Sequence, residues 1–203
     1  MIKVCDIGSM PPKIPNNELR EGARQWQSPA RNTRYGKGYE SAHIFEEQVT
    51  SGLIDKLHAG VDVPSYPQFR DMNEMFLDLI DGYTITPKGY IATDRLTCRH
   101  GTMIPEVEAI RGNLKEITEK TGVPEINLKI CVTGPYTLST LFSSRTPELI
   151  RDLGKALKEI TANSLDHRRT RLRLHRRPAT RPRLPGARGP QGGLELHSPR
   201  GIG

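Results

Sequence analysis

The feature that most constrains what this chain can fold into is a break in its character near residue 165. Up to that point, apolar residues recur with the periods of strands and helices. Beyond it they do not. Residues 166–203 hold ten arginines, no lysine, three of the six histidines and only two acids, Asp166 and Glu195. That stretch carries a formal charge of about +8 out of a total of +7, which leaves about −1 for residues 1–165. The basic balance therefore belongs to the tail and says nothing about the body. The run HRRTRLRLHRRPATRPRLPGARGPQGG has too little apolar content to offset the entropy of ordering, so no packed structure is expected from it. Two origins fit: a disordered basic arm that contacts phosphates, or a GC-rich gene read in a shifted frame. The absence of lysine favours the second.

The body is long enough to bury a core. No run of about 18 apolar residues crosses a membrane, and the segment from Met1 to Asp6 contains no long apolar signal region. Three isolated cysteines, Cys5, Cys98 and Cys131, form no Cys-x-x-Cys pair and fit a reducing, cytoplasmic setting.

Along the body, Lys3–Ile7 reads as a first strand. Residues 16–40 are polar and arginine-rich and read as a long loop with some helix. Ser41 suits the cap of a helix running to about Ala59, with Phe45, Val49, Leu53 and Leu57 as its buried stripe. Val61–Val63 is a very short strand. Asp71–Asp81 reads as a second helix through Met72, Met75, Phe76 and Leu79. Alternation on either side of Pro87-Lys88-Gly89 predicts a hairpin. Pro105 opens a helix reaching Gly122, Leu128–Thr133 is the clearest strand, and Thr146-Pro147-Glu148 opens a last helix. Strands alternating with helices predict a parallel α/β sheet. A (β/α)₈ barrel takes roughly 250 residues, so the body is expected to be the N-terminal half of one.

Three strand ends carry polar, glycine-bearing segments: Asp6-Ile7-Gly8-Ser9-Met10-Pro11, Arg70-Asp71-Met72-Asn73-Glu74-Met75-Phe76, and Val132-Thr133-Gly134-Pro135-Tyr136-Thr137-Leu138-Ser139. Glycine lets a ligand approach the backbone. Asp71 suits a helix N-terminus, and Arg70 suits an anion. Each segment alone reads equally as a strand-to-loop turn. Cys98 and His100 form a Cys-x-His pair of zinc-competent residues, but two ligands are not a site. There is no phosphate-binding P-loop pattern and no GxGxxG.

In this order, the three segments together resemble the catalytic domain of cobalamin-independent methionine synthase, in its short archaeal-type form. That family belongs with the barrels of uroporphyrinogen decarboxylase and the methylcobamide methyltransferases. The resemblance covers most of residues 1–165. It implies a TIM-type barrel that transfers a methyl group from a methyl folate or methyl corrinoid to the thiol of homocysteine, with zinc holding the thiolate. It implies that Ile7, Gly8 and Ser9 hold the amino-acid carboxylate. It places Asp71 beside the site and Thr133, Gly134 and Pro135 near the donor. The family carries a Gly-Glu pair before its Arg-Asp-Met stretch, where this chain has Ser65-Tyr66-Pro67-Gln68. That departure leaves the acceptor thiol open. The family's zinc ligands and an Ile-Asp-Glu-Pro strand lie beyond the position where the arginine tail starts. The chain is thus expected not to bind zinc in the family's manner or to turn over alone, and to self-associate through exposed sheet edges. The expected partners are a small-molecule thiol and a corrinoid protein. Two other readings stay open. One is a corrinoid-dependent methyltransferase for another thiol, or a decarboxylase-like barrel. The other, of a different class, is a nucleic-acid-binding protein acting through the tail. The second is disfavoured because the body has no surplus positive charge.

Overall fold

The computed structural model describes residues 2–28, 36–165 and 172–176. In chain order its elements are α1 (Asn16–Trp26), α2 (Lys37–His58), α3 (Glu74–Leu77), β1 (Ile80–Thr86), β2 (Gly89–Cys98), α4 (Pro105–Gly112), α5 (Leu114–Thr121), β3 (Ile126–Ile130), α6 (Pro135–Ser139), α7 (Pro147–Leu165) and β4 (Leu172–Arg176). Helix and strand are mixed. No helix among the described residues is long and apolar enough to cross a membrane.

Parallel pairing runs through the chain in sequence order, more sparsely than the apolar pattern predicts. The first segment meets the second only at the Cys5–Val63 and Ser9–Gln68 bridges, and the second meets β3 at Ser65–Lys129. All three bridges are parallel. Prolines 64 and 67 interrupt the second segment and remove backbone donors, so Val61–Val63 makes a bridge rather than a strand. β4 then pairs parallel with β3, from Ile126–Leu172 to Ile130–Arg176. Five residues of the arginine-rich tail thus lie along β3. An unpaired edge of β3 offers backbone donors and acceptors to any neighbouring segment without proline, and residues 172–176 contain none. The rest of the tail, 166–171 and 177–203, lies outside the described residues. This mixed architecture with a short parallel run is the observed fold.

Helices cover this run. In α2 three residues of the expected stripe are buried, Phe45 and Val49 at 1% and 0% exposure and Leu53 at 0%, while Leu57 is only partly buried. The helix starts four residues before Ser41, at Lys37, with Gly36 as its N-cap. The reason is α1, which fills part of the stretch read as loop. Leu19, Gly22 and Ala23 are its buried face, and a Cβ at Gly22 would stand 2.6 Å from the Ser41 carbonyl oxygen. This near-contact of two helices requires the first turn of α2 to be formed. The 71–81 segment forms only the single turn of α3. Asp71 Oδ1 accepts from the N–H groups of Asn73 and Glu74 at 2.9 Å each, which starts the turn. Ile80 then enters the hairpin, paired with Cys98. The hairpin is longer than its alternation alone indicated. Gly82, at φ +100°, is the irregular point, where a Cβ would stand 2.4 Å from the Arg95 carbonyl oxygen. The helix expected from Pro105 to Gly122 breaks into α4 and α5 at Asn113. That side chain donates to Glu46 Oε1 at 2.5 Å and to the Ala109 carbonyl at 3.0 Å.

Two ion-pair systems pin α1 and the α3 turn to the core. Arg70 is buried and donates to both carboxylate oxygens of Glu106, at 2.9 and 3.1 Å. Asp78 accepts from Arg20 at 3.0 Å and from Arg24 at 3.2 Å. Burial works against ionisation of Asp78, but the hydrogen bond and charge of Arg20, helped by Arg24, outweigh it and hold its pKa below the ordinary 3.8.

Two outcomes follow. Gly22→Ala should destabilise the protein by about 1–3 kcal/mol in urea denaturation despite alanine's better helix propensity, because the added methyl has no room. A folded-state carboxylate with a depressed pKa adds stability that is complete above its unfolded value and is lost as pH falls through the folded one. Asp78→Asn should therefore flatten the decline of Tm below pH 4 relative to the parent. An unchanged acid slope would mean that Asp78 is not ion-paired in solution.

Candidate functional site at the strand ends

The three polar segments meet at one end of the parallel run. Gln68 N–H donates to the Gly8 carbonyl at 3.1 Å, and Met10 N–H donates to the Gln68 carbonyl at 3.1 Å. Thr133 Oγ1 donates to the Met72 carbonyl at 2.8 Å. These bonds join the loop after the first segment to the loop after the second, and that loop to the one after β3. Each loop also exposes one large apolar side chain: Ile7 at 85%, Met72 at 46% and Tyr136 at 66%. Exposed apolar groups on loops that are hydrogen-bonded to one another offer a contact surface for a ligand. The Arg145 guanidinium stands 4.7 Å from the centre of the Tyr136 ring, a cation–π contact that holds the ring at the rim.

Beneath the mouth lies a buried lysine that sequence reading missed. Lys56, near the end of α2, donates to Asp6 Oδ2 at 2.6 Å, to the Ser65 carbonyl at 3.0 Å and to the Gly8 carbonyl at 3.1 Å. Asp6 also accepts from Ser65 N–H at 2.6 Å, and its own carbonyl accepts from Lys129 Nζ. Burial pulls the Lys56 pKa down against the raising effect of Asp6. Burial alone would raise Asp6, yet the hydrogen bonds from Lys56 and from the Ser65 backbone bring it below 3.8. The pair is thus held as an ion pair. The available signal was Lys56 itself, one turn after the apolar residues Leu53 and Ile54 in α2.

Gly8 is buried at φ +103°. A Cβ there would meet Gln68 Oε1 at 2.8 Å and Ser65 Cβ at 3.2 Å. Gln68 has little freedom to retreat. Its Nε2 donates to Tyr66 Oη at 3.0 Å, and that hydroxyl donates to the Cys131 carbonyl at 2.6 Å. Burial is the main reason that the Tyr66 hydroxyl is pushed well above its usual pKa. A neutral chain of Gln68, Tyr66 and the Cys131 carbonyl therefore fills the stretch in which the resembling family carries an acid.

The structure brings Gly8, Ser9, Thr133 and the segment of Asp71 into one neighbourhood, with Gly134 and Pro135 starting α6 beside Thr133. Ile7 and Ser9 are exposed, as is Asp71. Asp71 is engaged in capping its own turn.

The Cys98 and His100 pair does not gather further ligands. Cys98 is buried at the end of β2, its thiol donates to the Arg99 carbonyl at 3.2 Å, and burial pushes its pKa up to about 11. His100 is exposed in the following turn. Among the described residues no group of three or more His, Cys, Asp or Glu side chains could hold a metal ion. These residues do not fit the zinc that the resemblance implies.

Compared with protein-family models and with curated proteins, the chain matches none.

Gly8→Ala should cost about 1–3 kcal/mol, since it combines a left-handed backbone with a contact below 3 Å. The check is urea denaturation, together with the loss of the Gly8 and Gln68 amide NMR shifts of the parent. A neutral result would mean that this loop adapts freely.

Proposed function

We propose that the strand-end mouth binds the acceptor of a methyl transfer of the methionine-synthase type, a small thiol-bearing acid. The reading rests on one observation above all. The three segments that carry the resemblance, distant in sequence, lie side by side and are hydrogen-bonded to one another. In this reading Gly8 lets the loop turn closely over Gln68 and Ser65, which sets Ser9 at the exposed edge. Ser9 supplies a hydroxyl for the substrate carboxylate. Thr133, Gly134 and Pro135 form the wall on the donor side, where a methyl folate or methyl corrinoid would lie. The residues described act by binding and orienting the acceptor and by keeping the mouth's floor rigid through Lys56 and Asp6.

A second reading has its own support. An ammonium is held best by a carboxylate, and the Gln68–Tyr66 chain is neutral. This favours an acceptor thiol without a free amino group, the substrate of a corrinoid-dependent relative, over homocysteine.

Both readings are tested by titrating the full chain with homocysteine and with 3-mercaptopropionate, followed by amide NMR shifts. Saturable shifts at residues 7–9, 133 and 134 are expected. Preference for homocysteine supports the first reading, and preference for mercaptopropionate the second. Absence of binding by either thiol, in the presence and absence of added zinc, would overturn both.

A further inference from the structure

A cavity of about 460 Å³ lies between α2 and α5. No residue of the strand-end mouth lines it, so it stands independently of the function proposed above. Its volume is within the range of small-molecule sites. Its floor is formed by Thr50 and Ile54, exposed by 5% and 8%. Its rim carries Glu46, Glu47 and Glu116, against a single ammonium, Lys120.

The commitments of these groups decide what the cavity can take. Lys120 is spent on Glu116 at 2.7 Å. Glu46 is held by the Asn113 amide at 2.5 Å, with His43 Nδ1 at 3.6 Å from its other oxygen. Glu47 has no partner among the described residues. Thr50 is the most informative of them. A helical threonine normally turns its hydroxyl back to the carbonyl four residues earlier. Thr118, Thr121 and Thr161 all do so in this protein, at 2.6–2.7 Å. Thr50 does not, and its buried Oγ1 has no hydrogen-bond partner. An unpaired buried hydroxyl costs free energy, on the order of 1–3 kcal/mol, so one on a residue that lines a cavity marks a place where a ligand group is wanted.

We infer that the α2–α5 cavity is a binding site for an aliphatic polyamine. Protonated amines supply N–H donors, the complement of the surplus carboxylates and of the Thr50 oxygen. The methylene segments between them suit the apolar floor at Ile54. A bare divalent cation is a poorer match, because the carboxylates do not converge into a metal-holding group. The Thr50 hydroxyl is itself covered, so the ligand reaches it by displacing side chains at the rim, where Glu47 and His43 are exposed.

Spermidine is the probe, titrated into the full chain by calorimetry at fixed ionic strength. One saturable site is expected. Thr50→Val keeps the shape and removes only the hydroxyl. It should leave Tm unchanged or higher and weaken spermidine at least fivefold. Glu47→Gln should weaken it by a similar factor. Wild-type affinity in Thr50→Val would overturn the site, as would the absence of saturable binding. So would displacement of spermidine by magnesium as readily as by putrescine at matched ionic strength, which would indicate diffuse counterion attraction. Failure here leaves the thiol titration at the strand ends unaffected.

Discussion

The interaction on which the rest of this structure depends is the ammonium of Lys56. It reaches from α2 into the layer between helix and strands and binds three groups from two segments: the Asp6 carboxylate and the carbonyls of Gly8 and Ser65. The parallel pairing of the first two segments is sparse, only two bridges and a few hydrogen bonds. Regular ladders cannot hold them together. A buried charge with all its donors satisfied can do so, because removing any one partner would leave the others unpaired in a poorly solvated place. Lys129, on β3, adds a second ammonium at the Asp6 carbonyl and ties the third segment to the same point.

The same knot shapes the mouth above it. Gly8 is held by its carbonyl to both Lys56 and Gln68, so the loop carrying Ile7 and Ser9 leaves the sheet in a fixed direction. Gln68 packs where a side chain on Gly8 would stand, and its amide is fixed in turn by Tyr66. The mouth is thus rigid at its floor and apolar at its rim, with Ile7, Met72 and Tyr136 turned outward. Its floor holds two ammonium groups, Lys56 and Lys129, against the single carboxylate of Asp6, while Arg70 is paired with Glu106.

Much of this was legible in the residues. The stripe of Phe45, Val49 and Leu53, that of Leu149, Leu153, Leu157 and Ile160, and the hairpin turn at Pro87-Lys88-Gly89 all follow from local periodicity and turn chemistry. Helix α1 was readable but masked. Its apolar face is only Leu19, Ala23 and Trp26, with Gly22 between them, set among arginines whose partners lie 54 and 58 residues away. The break at Asn113 and the shortness of α3 were not readable, because both depend on side-chain bonds to other segments or on the demand of the following strand. The candidate site was half legible. The segments stood out by their glycines and hydroxyls. Lys56, Gln68 and Tyr66, which hold them, did not, because a lysine on a helix and a glutamine in a loop look like solvent-facing residues until their neighbours are known.

The sequence alone thus determined the type and face of the long elements, through the 3.6-residue period of α2 and α7 and the alternation of the hairpin. It also determined the separation between a near-neutral body and a basic tail. Only the tertiary structure decided which polar residues are buried together, where α2 begins, and that residues 172–176 lie along β3. The physical reason is range. Periodicity and turn propensity act within a few residues, whereas a buried ion pair or a vacant sheet edge takes its partner from whatever segment the packed chain brings alongside.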